Sequence, residues 1–234
     1  MATYIRFAVG VTGIIASVIA VLGVSLLGDD ESKARALGDP TLTGKISLEE
    51  ALATRRSIRS FAGGELSAQQ ISQLCWASQG ISEPVRRLRT CPSAGATYPL
   101  ELYVVTARGV EHYRPQDHGL TSHLDGDLRG KLAAAALGQS CVAQAPATFV
   151  IAGVASRTAR RYGQRAQRYV WMEAGHAGQN ILLQAVALKL GAVPVGAFND
   201  EAVGKLLKLP AGSAPLYLIP VGKPAGPKKA SFEG

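Results

Sequence analysis

The run Ala147–Val154, A-T-F-V-I-A-G-V, limits the possible folds more than any other part of the chain. It carries no charge and reads as a central strand buried on both faces, so the sheet around it needs cover. Leu100–Ala107 and Val110–Tyr113 read as two more strands joined by a tight turn at Arg108-Gly109. A short strand ends at Phe198, and Leu216–Val221 is a last one, closing on Gly222-Lys223-Pro224.

Helical signals surround these strands. Ser47-Leu48-Glu49-Glu50 has the S-x-x-E form of a capping box and predicts a helix to about Arg56. Ser67-Ala68-Gln69-Gln70 repeats the signal, with Ile71, Leu74, Cys75 and Ser78 on one face and an end near Gly80. Asp127–Leu137 and Asp200–Leu207 predict short helices, and a polar, basic loop is expected from Ser82 to Tyr98. Arg157–Leu190 has helical composition throughout and predicts the longest element. Trp171, Ala174, Ile181, Leu182, Ala185 and Leu188 are expected inward, with Gly175 and Gly178 where something packs closely. Hairpin, helix, strand, long helix, strand, helix, strand predicts an α+β fold, a mixed sheet with helices packed on it.

The 234 residues, 47% of them apolar, suffice for one substantial core but fall short of two. Phe7–Gly28 is uncharged and rich in Ala, Val, Ile, Leu and Gly, close to the ~20 residues a helix needs to cross a bilayer. Arg6 precedes it and Asp29, Asp30 and Glu31 follow, which leaves the N-terminus in the cytoplasm and exports the rest. The expected organisation is a transmembrane anchor or signal segment over 1–28, a linker over 29–44, one domain over 45–226 and a flexible tail over 227–234. The domain would then be membrane-anchored outside the cytoplasm. The alternative is a secretory signal cleaved near Ala34-Arg35-Ala36, giving a secreted or periplasmic domain.

Several function classes drop out. The net charge of +8 suits an anionic partner, but aromatic content is 6% and no zinc finger or RNA-recognition signature is present, which argues against nucleic acid. Cys75, Cys91 and Cys141 form no CxxC pair, so neither a disulfide framework nor a zinc site is indicated. They read as two buried small hydrophobes and one loop thiol. Glu173-x-x-His176 has the form of half a di-iron site, but the second copy is missing, and no metal is expected. The dinucleotide, P-loop and hydrolase motifs G-x-G-x-x-G, G-x-x-x-x-G-K-[ST] and G-x-S-x-G are not found. His112, His118 and His123 read as surface residues, and Arg157, Arg160, Arg161, Arg165 and Arg168 as a solvated helix face.

Three guanidinium groups and a hydroxyl stand together at Arg55-Arg56-Ser57-Ile58-Arg59, a set able to wrap an anion such as a phosphate or to end a helix in solvent. Two small-residue loops follow, Pro92-Ser93-Ala94-Gly95-Ala96-Thr97-Tyr98-Pro99 and Pro194-Val195-Gly196-Ala197-Phe198, where backbone amides can approach a flat ligand.

The ordered set R-R-S-x-R, P-S-A-G-A-x-Y-P, a long helix with Gln179-Asn180, P-V-G-A-F and a terminal V-G-K-P resembles the nitroreductase-like superfamily, most closely its SagB-type dehydrogenase branch. The resemblance spans roughly Ser47 to Pro224. It implies a three-layer fold, an FMN cofactor at the interface of a homodimer, and NAD(P)H as a possible electron donor. By position, Arg55 and Ser57 would hold the FMN phosphate and ribityl chain, and Lys223 would complete that site beside Arg56. Arg59 would reach the pyrimidine edge, where positive charge favours the reduced ring. Ser93, Ala94 and Gly95 would line the ring, with Pro194, Val195, Gly196 and Ala197 covering it from the other side.

Two motifs depart from other nitroreductases, whose N-x-Q is Ala96-Thr97-Tyr98 here and whose acidic residue is Gly196. Tyr98 is the one side chain expected to act as a proton donor. The expected activity is two-electron transfer between a donor and a small organic or peptide substrate. The alternative is a membrane-tethered flavin-binding protein without turnover.

Overall fold

The computed structural model describes residues 34–226. The elements run β1 (Ala34–Ala36), α1 (Leu48–Thr54), α2 (Ala68–Gln79), β2 (Ile81–Glu83), β3 (Leu88–Arg89), β4 (Leu100–Thr106), β5 (Gly109–Arg114), β6 (Gly119–Asp125) and α3 (Arg129–Ala135). They continue as α4 (Ser140–Gln144), β7 (Ala147–Val154), α5 (Ala155–Tyr162), α6 (Ala166–Ala187), β8 (Gly191–Ala192), α7 (Asp200–Leu206) and β9 (Ser213–Gly222).

Seven strands make one sheet in the order β1-β6-β5-β4-β7-β9-β8, and every ladder from β6 to β8 is antiparallel. β7 is its centre, bonded to β4 on one side and β9 on the other, with every residue but Val154 buried. Successive side chains leave a strand on opposite faces. Phe149 and Ile151 therefore join Leu102, Val104 and Ile219 against Ile71 and Leu74 of α2 and Ala174 and Ile181 of α6. Val150 and Ala152 join Tyr103, Val105 and Leu218 against Leu132, Val142 and Val203 of α3, α4 and α7. Helices thus cover both faces, and the expected three-layer α+β architecture follows.

The two capping signals place α1 and α2. Ser47 Oγ accepts from the Glu50 amide at 3.1 Å. At the start of α2, Ser67 and Gln70 exchange side-chain and backbone bonds of 3.1 and 2.9 Å, which satisfies two otherwise unpaired donors.

The structure differs from the sequence reading in several places. The long helix is broken: α5 stops at Gly163 (φ 53°, ψ −128°), a short 3₁₀ turn follows, and only then does α6 begin. A lone glycine costs a helix only about 1 kcal/mol, so composition hides such a break. Trp171, expected inward, is 61% exposed on α6, and Met172 beside it is also exposed. A Cβ on Gly178 would stand in ordinary contact with Ile219, whereas one on Gly175 would meet open space. The basic loop after Gly80 contains the hairpin β2–β3. The short helix α4 and the strand β6 were not foreseen; β6 is rich in polar residues and lacks an apolar alternation to read.

The stretch read as a linker is largely structural. β1 joins β6, Arg35 forms a double bond pair with Glu111 at 2.6 and 2.9 Å, and Thr41 and Gln73 bond reciprocally at 2.7 and 3.0 Å. Ser72 Oγ also donates to the Gly38 carbonyl at 2.6 Å. The alternative cleavage site Ala34-Arg35-Ala36 is thus itself a strand of the sheet. The expected membrane segment 7–28 and the tail 227–234 lie outside the described residues.

The three histidines are half-buried and bonded rather than free at the surface. His112 pairs with Glu101 at 2.6 Å, His118 lies between Ser72 and Tyr113 at 2.8 Å from each, and His123 meets the Leu207 carbonyl at 2.7 Å. All three cysteines are buried, including Cys91 in the loop.

Candidate functional site

The chain leaves helical geometry at Arg55 and runs beside β8. Ser57 pairs with Ala192 in a parallel bridge, and the Ile58 amide donates to the Ala192 carbonyl at 3.0 Å. Gly191 makes this approach possible, because a Cβ there would fall 2.7 Å from Ile58. Further on, Phe61 bridges Pro224, and the Ala62 amide donates to the Lys223 carbonyl at 2.8 Å. Arg55 to Arg59 and Lys223 therefore share the β8–β9 edge of the sheet.

Their roles separate on inspection. The Arg56 guanidinium donates to the carbonyls of Ala53 at 3.0 Å and Arg55 at 2.8 Å, so it caps the C-terminus of α1, where a cation also suits the helix dipole. Arg55, Arg59 and Lys223 have no carboxylate within ion-pair distance among the described residues. Gathered cations without a counter-charge, next to the exposed Ser57, suit a phosphate.

The loop Pro194–Ala197 starts from the same edge. Val195 and Leu218 exchange both backbone bonds, at 2.8 and 3.0 Å, which fastens the loop to β9 and leaves Gly196 and Ala197 exposed. Gln139 donates to the Ala197 carbonyl at 2.8 Å. The half-buried Tyr217 ring stands between this loop and α6: a Cβ on Gly196 would lie 3.8 Å from it, and one on Gly178 3.7 Å. Tyr217 was not singled out from sequence, although its place in an apolar strand opposite Gly178 was the available signal.

The loop Pro92–Pro99 lies at the other end of the sheet. Strand register pairs Leu100 with Gly153 at one end of β7, and Val221 with Ala147 at the other. The eight residues of β7 put about 23 Å between those ends. One copy of the chain thus sets Arg55–Arg59 and Lys223 apart from Ser93–Gly95, and Pro194–Ala197 stands between them, because Val195 pairs with Leu218 level with Val150 in the middle of β7.

This second loop is strained and held. Gly95, Ala96 and Tyr98 adopt φ of 58°, 52° and 44°, a region unusual for the two that carry side chains. The Ala94 amide donates to Glu173 Oε1 at 2.9 Å, the Tyr98 amide to Ser93 Oγ at 2.9 Å, and Arg157 to the Tyr98 carbonyl at 3.2 Å. Arg89 stacks over the Tyr98 ring at 4.5 Å, and the Tyr98 hydroxyl accepts from the Arg89 amide at 3.3 Å. The Tyr98 ring is thus a packing platform for Arg89, and its hydroxyl, which accepts here, keeps its own proton. Outside Gly95 stand Arg161 and Tyr162, with atoms 2.9 Å from where a Cβ would lie. Glu173, Arg89, Arg157, Arg161 and Tyr162 were not assigned to the site from sequence, since every one of these contacts depends on the chain returning to itself.

Glu173 is buried, 5% exposed, while His176 of the same E-x-x-H is exposed. Burial is the largest influence on its carboxyl and lifts it above the ordinary range, against the pull of the Ala94 and Ser93 hydrogen bonds. The folded chain therefore holds this proton more tightly than the unfolded one, a stabilisation present in acid and lost as pH rises through the native value. Glu173→Gln keeps an acceptor for Ala94 and removes the charge. It is expected to be more stable than the parent at pH 7 and to lose that advantage below about pH 4. Urea midpoints at the two pH values check this, and a destabilised variant at pH 7 would contradict it.

Known proteins share this sequence pattern and this fold. The family model described as "Nitroreductase family" matches residues 52–223. A candidate nitroreductase of Methanocaldococcus jannaschii is 42% identical over 185 residues, covering 76% of this chain and 92% of that protein. A trifolitoxin operon protein of Rhizobium leguminosarum is 27% identical over 220 residues, with 82% of this chain and 62% of that longer protein covered. Among solved structures, a candidate nitroreductase from Ralstonia eutropha superposes with a TM-score of 0.77 at 26% identity, over 83% of this chain and 91% of that one. The NADPH:FMN oxidoreductase of Vibrio harveyi, solved with NAD⁺, shares the fold with a TM-score of 0.59 at 22% identity, over 76% and 69% of the two chains. On the match over residues 52–223 and the 42% identity, the chain belongs to the nitroreductase family.

Proposed function

We propose that the chain is an FMN-dependent oxidoreductase of SagB-type character, working as a homodimer whose two cofactor sites are each shared between subunits. The observation that carries this reading is the separation of the cationic cluster from Ser93–Gly95 by the length of β7. Each copy offers a cationic cluster at one end of β7, one small-residue loop level with its middle, and the second loop at the other end, where a second copy can meet it. The residues fit the cofactor. Uncompensated cations at Arg55, Arg59 and Lys223 suit its phosphate, and the exposed Gly196 and Gly95, with the half-buried Ser93 and Ala94, suit a flat ring. The family supplies oxidoreductase chemistry, and the shared fold with a NADPH:FMN oxidoreductase supports FMN and a nicotinamide donor.

In this reading the bound flavin carries the two-electron chemistry, and the protein supplies placement and electrostatics. Arg55, Ser57 and Lys223 hold the phosphate end, and Arg59 sets positive charge near the ring. Val195 anchors one covering loop to β9, and Glu173 anchors the other through Ala94. The apolar side chains of Leu48 and Leu52 on α1 and of Trp171 and Met172 on α6 are exposed and suit contact with a second copy. Should residues 7–28 tether the domain to a membrane with its bulk outside the cytoplasm, a quinone or a secreted peptide would stand in for the nicotinamide donor.

The first test is the purified full chain, expected to be yellow and to release FMN; a colourless chain that added FMN does not reconstitute would overturn the reading. The shared site has its own test. Co-expressing Arg55→Ala/Arg59→Ala with Gly95→Val, each deficient alone, is expected to restore about a quarter of the parent's flavin content. Random pairing gives roughly half mixed dimers, each with one intact site of two. A pair that remains empty would show that each site belongs to one chain.

A further inference from the structure

Four arginines gather where the loop Pro92–Pro99 meets the junction of α5 and α6. Arg160 and Arg161 end α5, Arg165 closes the 3₁₀ turn, and Arg168 lies in the first turn of α6. All four are exposed, and none has a carboxylate within ion-pair distance among the described residues. Arg157, one turn earlier, differs: it is engaged by Glu101 and by the Tyr98 carbonyl.

The sequence alone reads these arginines as a solvated helix face. The break at Gly163 changes that. Arg161 does not point away from the domain but lies over Gly95, with Cδ and Nη1 2.9 Å from the place of a Cβ and the Tyr162 hydroxyl at the same distance. The Tyr162 ring is fixed edge-on against Tyr169, with centroids 5.1 Å apart. Glu101 offsets Arg157, Glu173 stands at the Ala94 amide and the dipole at the end of α5 offsets roughly half a charge, which still leaves net positive charge from the four arginines at the loop. A guanidinium held over a ligand-facing loop beside like charges lacks only an anion.

We propose that Arg161, with Arg160, Arg165 and Arg168 around it, forms an anion-recognition subsite selecting small aromatic substrates that carry a carboxylate or phosphate group. The proposal rests on the FMN reading above and adds the class of second substrate. Arg161 makes the direct, paired hydrogen bonds to the anionic group, while its neighbours raise the local concentration of anions at the mouth of the site. Tyr162 sets a ring and a hydroxyl beside the bound molecule.

The test uses the FMN-loaded full chain without an electron donor, and two probes of matched shape, 4-nitrobenzoate and nitrobenzene, titrated by calorimetry. The carboxylate probe is expected to bind about tenfold more tightly at low ionic strength, with the ratio shrinking as salt is raised. Arg161→Ala is expected to bring the ratio below about threefold, and Arg161→Lys to retain part of it. Flavin content and melting temperature establish that the variants are folded. Equal affinity for the two probes in the parent, or a ratio that survives both Arg161→Ala and the triple replacement of Arg160, Arg165 and Arg168, would overturn the subsite. A chain that binds no FMN would overturn the proposed function and this inference together, whereas a yellow chain indifferent to the probe's charge overturns the inference alone.

Discussion

Arg55→Ala and Arg59→Ala, introduced together, are expected to strip FMN from the protein, weakening its binding by roughly a hundredfold or more. Each guanidinium contributes a charge-assisted hydrogen bond of about 1.5–3 kcal/mol, and two such bonds exceed the 1.4 kcal/mol that separates one decade of affinity from the next. The fold should survive, because neither side chain forms an ion pair among the described residues and Arg59 is exposed. Arg56→Ala is the internal control. Its guanidinium is spent on the carbonyls of Ala53 and Arg55, so its loss should cost helix stability more than cofactor. Fluorescence titration of FMN into the apo chain measures both effects, and undiminished affinity in the double variant would refute the assignment of the cationic pocket.

Phe149→Ala is expected to produce the largest loss of stability. The side chain is fully buried in the middle of β7, facing the layer of α2 and α6. Truncating a buried Phe to Ala typically costs about 3–5 kcal/mol, through lost burial and the cavity left behind. For a domain of this size that corresponds to a fall of roughly 6–20 °C in melting temperature. A shift of only a degree or two in a thermal melt would mean that α2 and α6 collapse into the space, and that β7 is less rigid than its pairing with both neighbours implies.

What could be read from the sequence was local. β7 announced itself by an apolar run, and the starts of α1 and α2 by a serine whose hydroxyl accepts from the backbone amide three residues on. The candidate site was legible as motifs because its residues cluster within short stretches. What was not legible required the chain to meet itself. The bond from Ala94 to Glu173 joins residues 79 apart, and the placement of Arg161 over Gly95 depends on a single glycine that turns a continuous helical pattern into two elements. β1 was missed because three small or polar residues carry no strand signature, and only Glu111 on β5, which pairs with Arg35, and His118 just before β6, whose carbonyl accepts from the Leu37 amide, show why they belong in the sheet. Tyr98 was assigned by the chemistry of its side chain, whereas its backbone conformation and the stacked Arg89 decide where its hydroxyl goes.

The distance along β7 also bears on how the protein would respond to dilution. If each flavin is clasped by opposite ends of two copies, cofactor retention follows the law of mass action in protein as well as in FMN, and losing a partner means losing two cofactors at once. Ligand and assembly then stabilise each other reciprocally. Excess FMN should hold the pair together at concentrations where the apo chain separates, and cofactor release on serial dilution should be second order in its reversal. Crowding copies into a plane, as a membrane tether would, keeps such a protein loaded when the amount present in the cell is small.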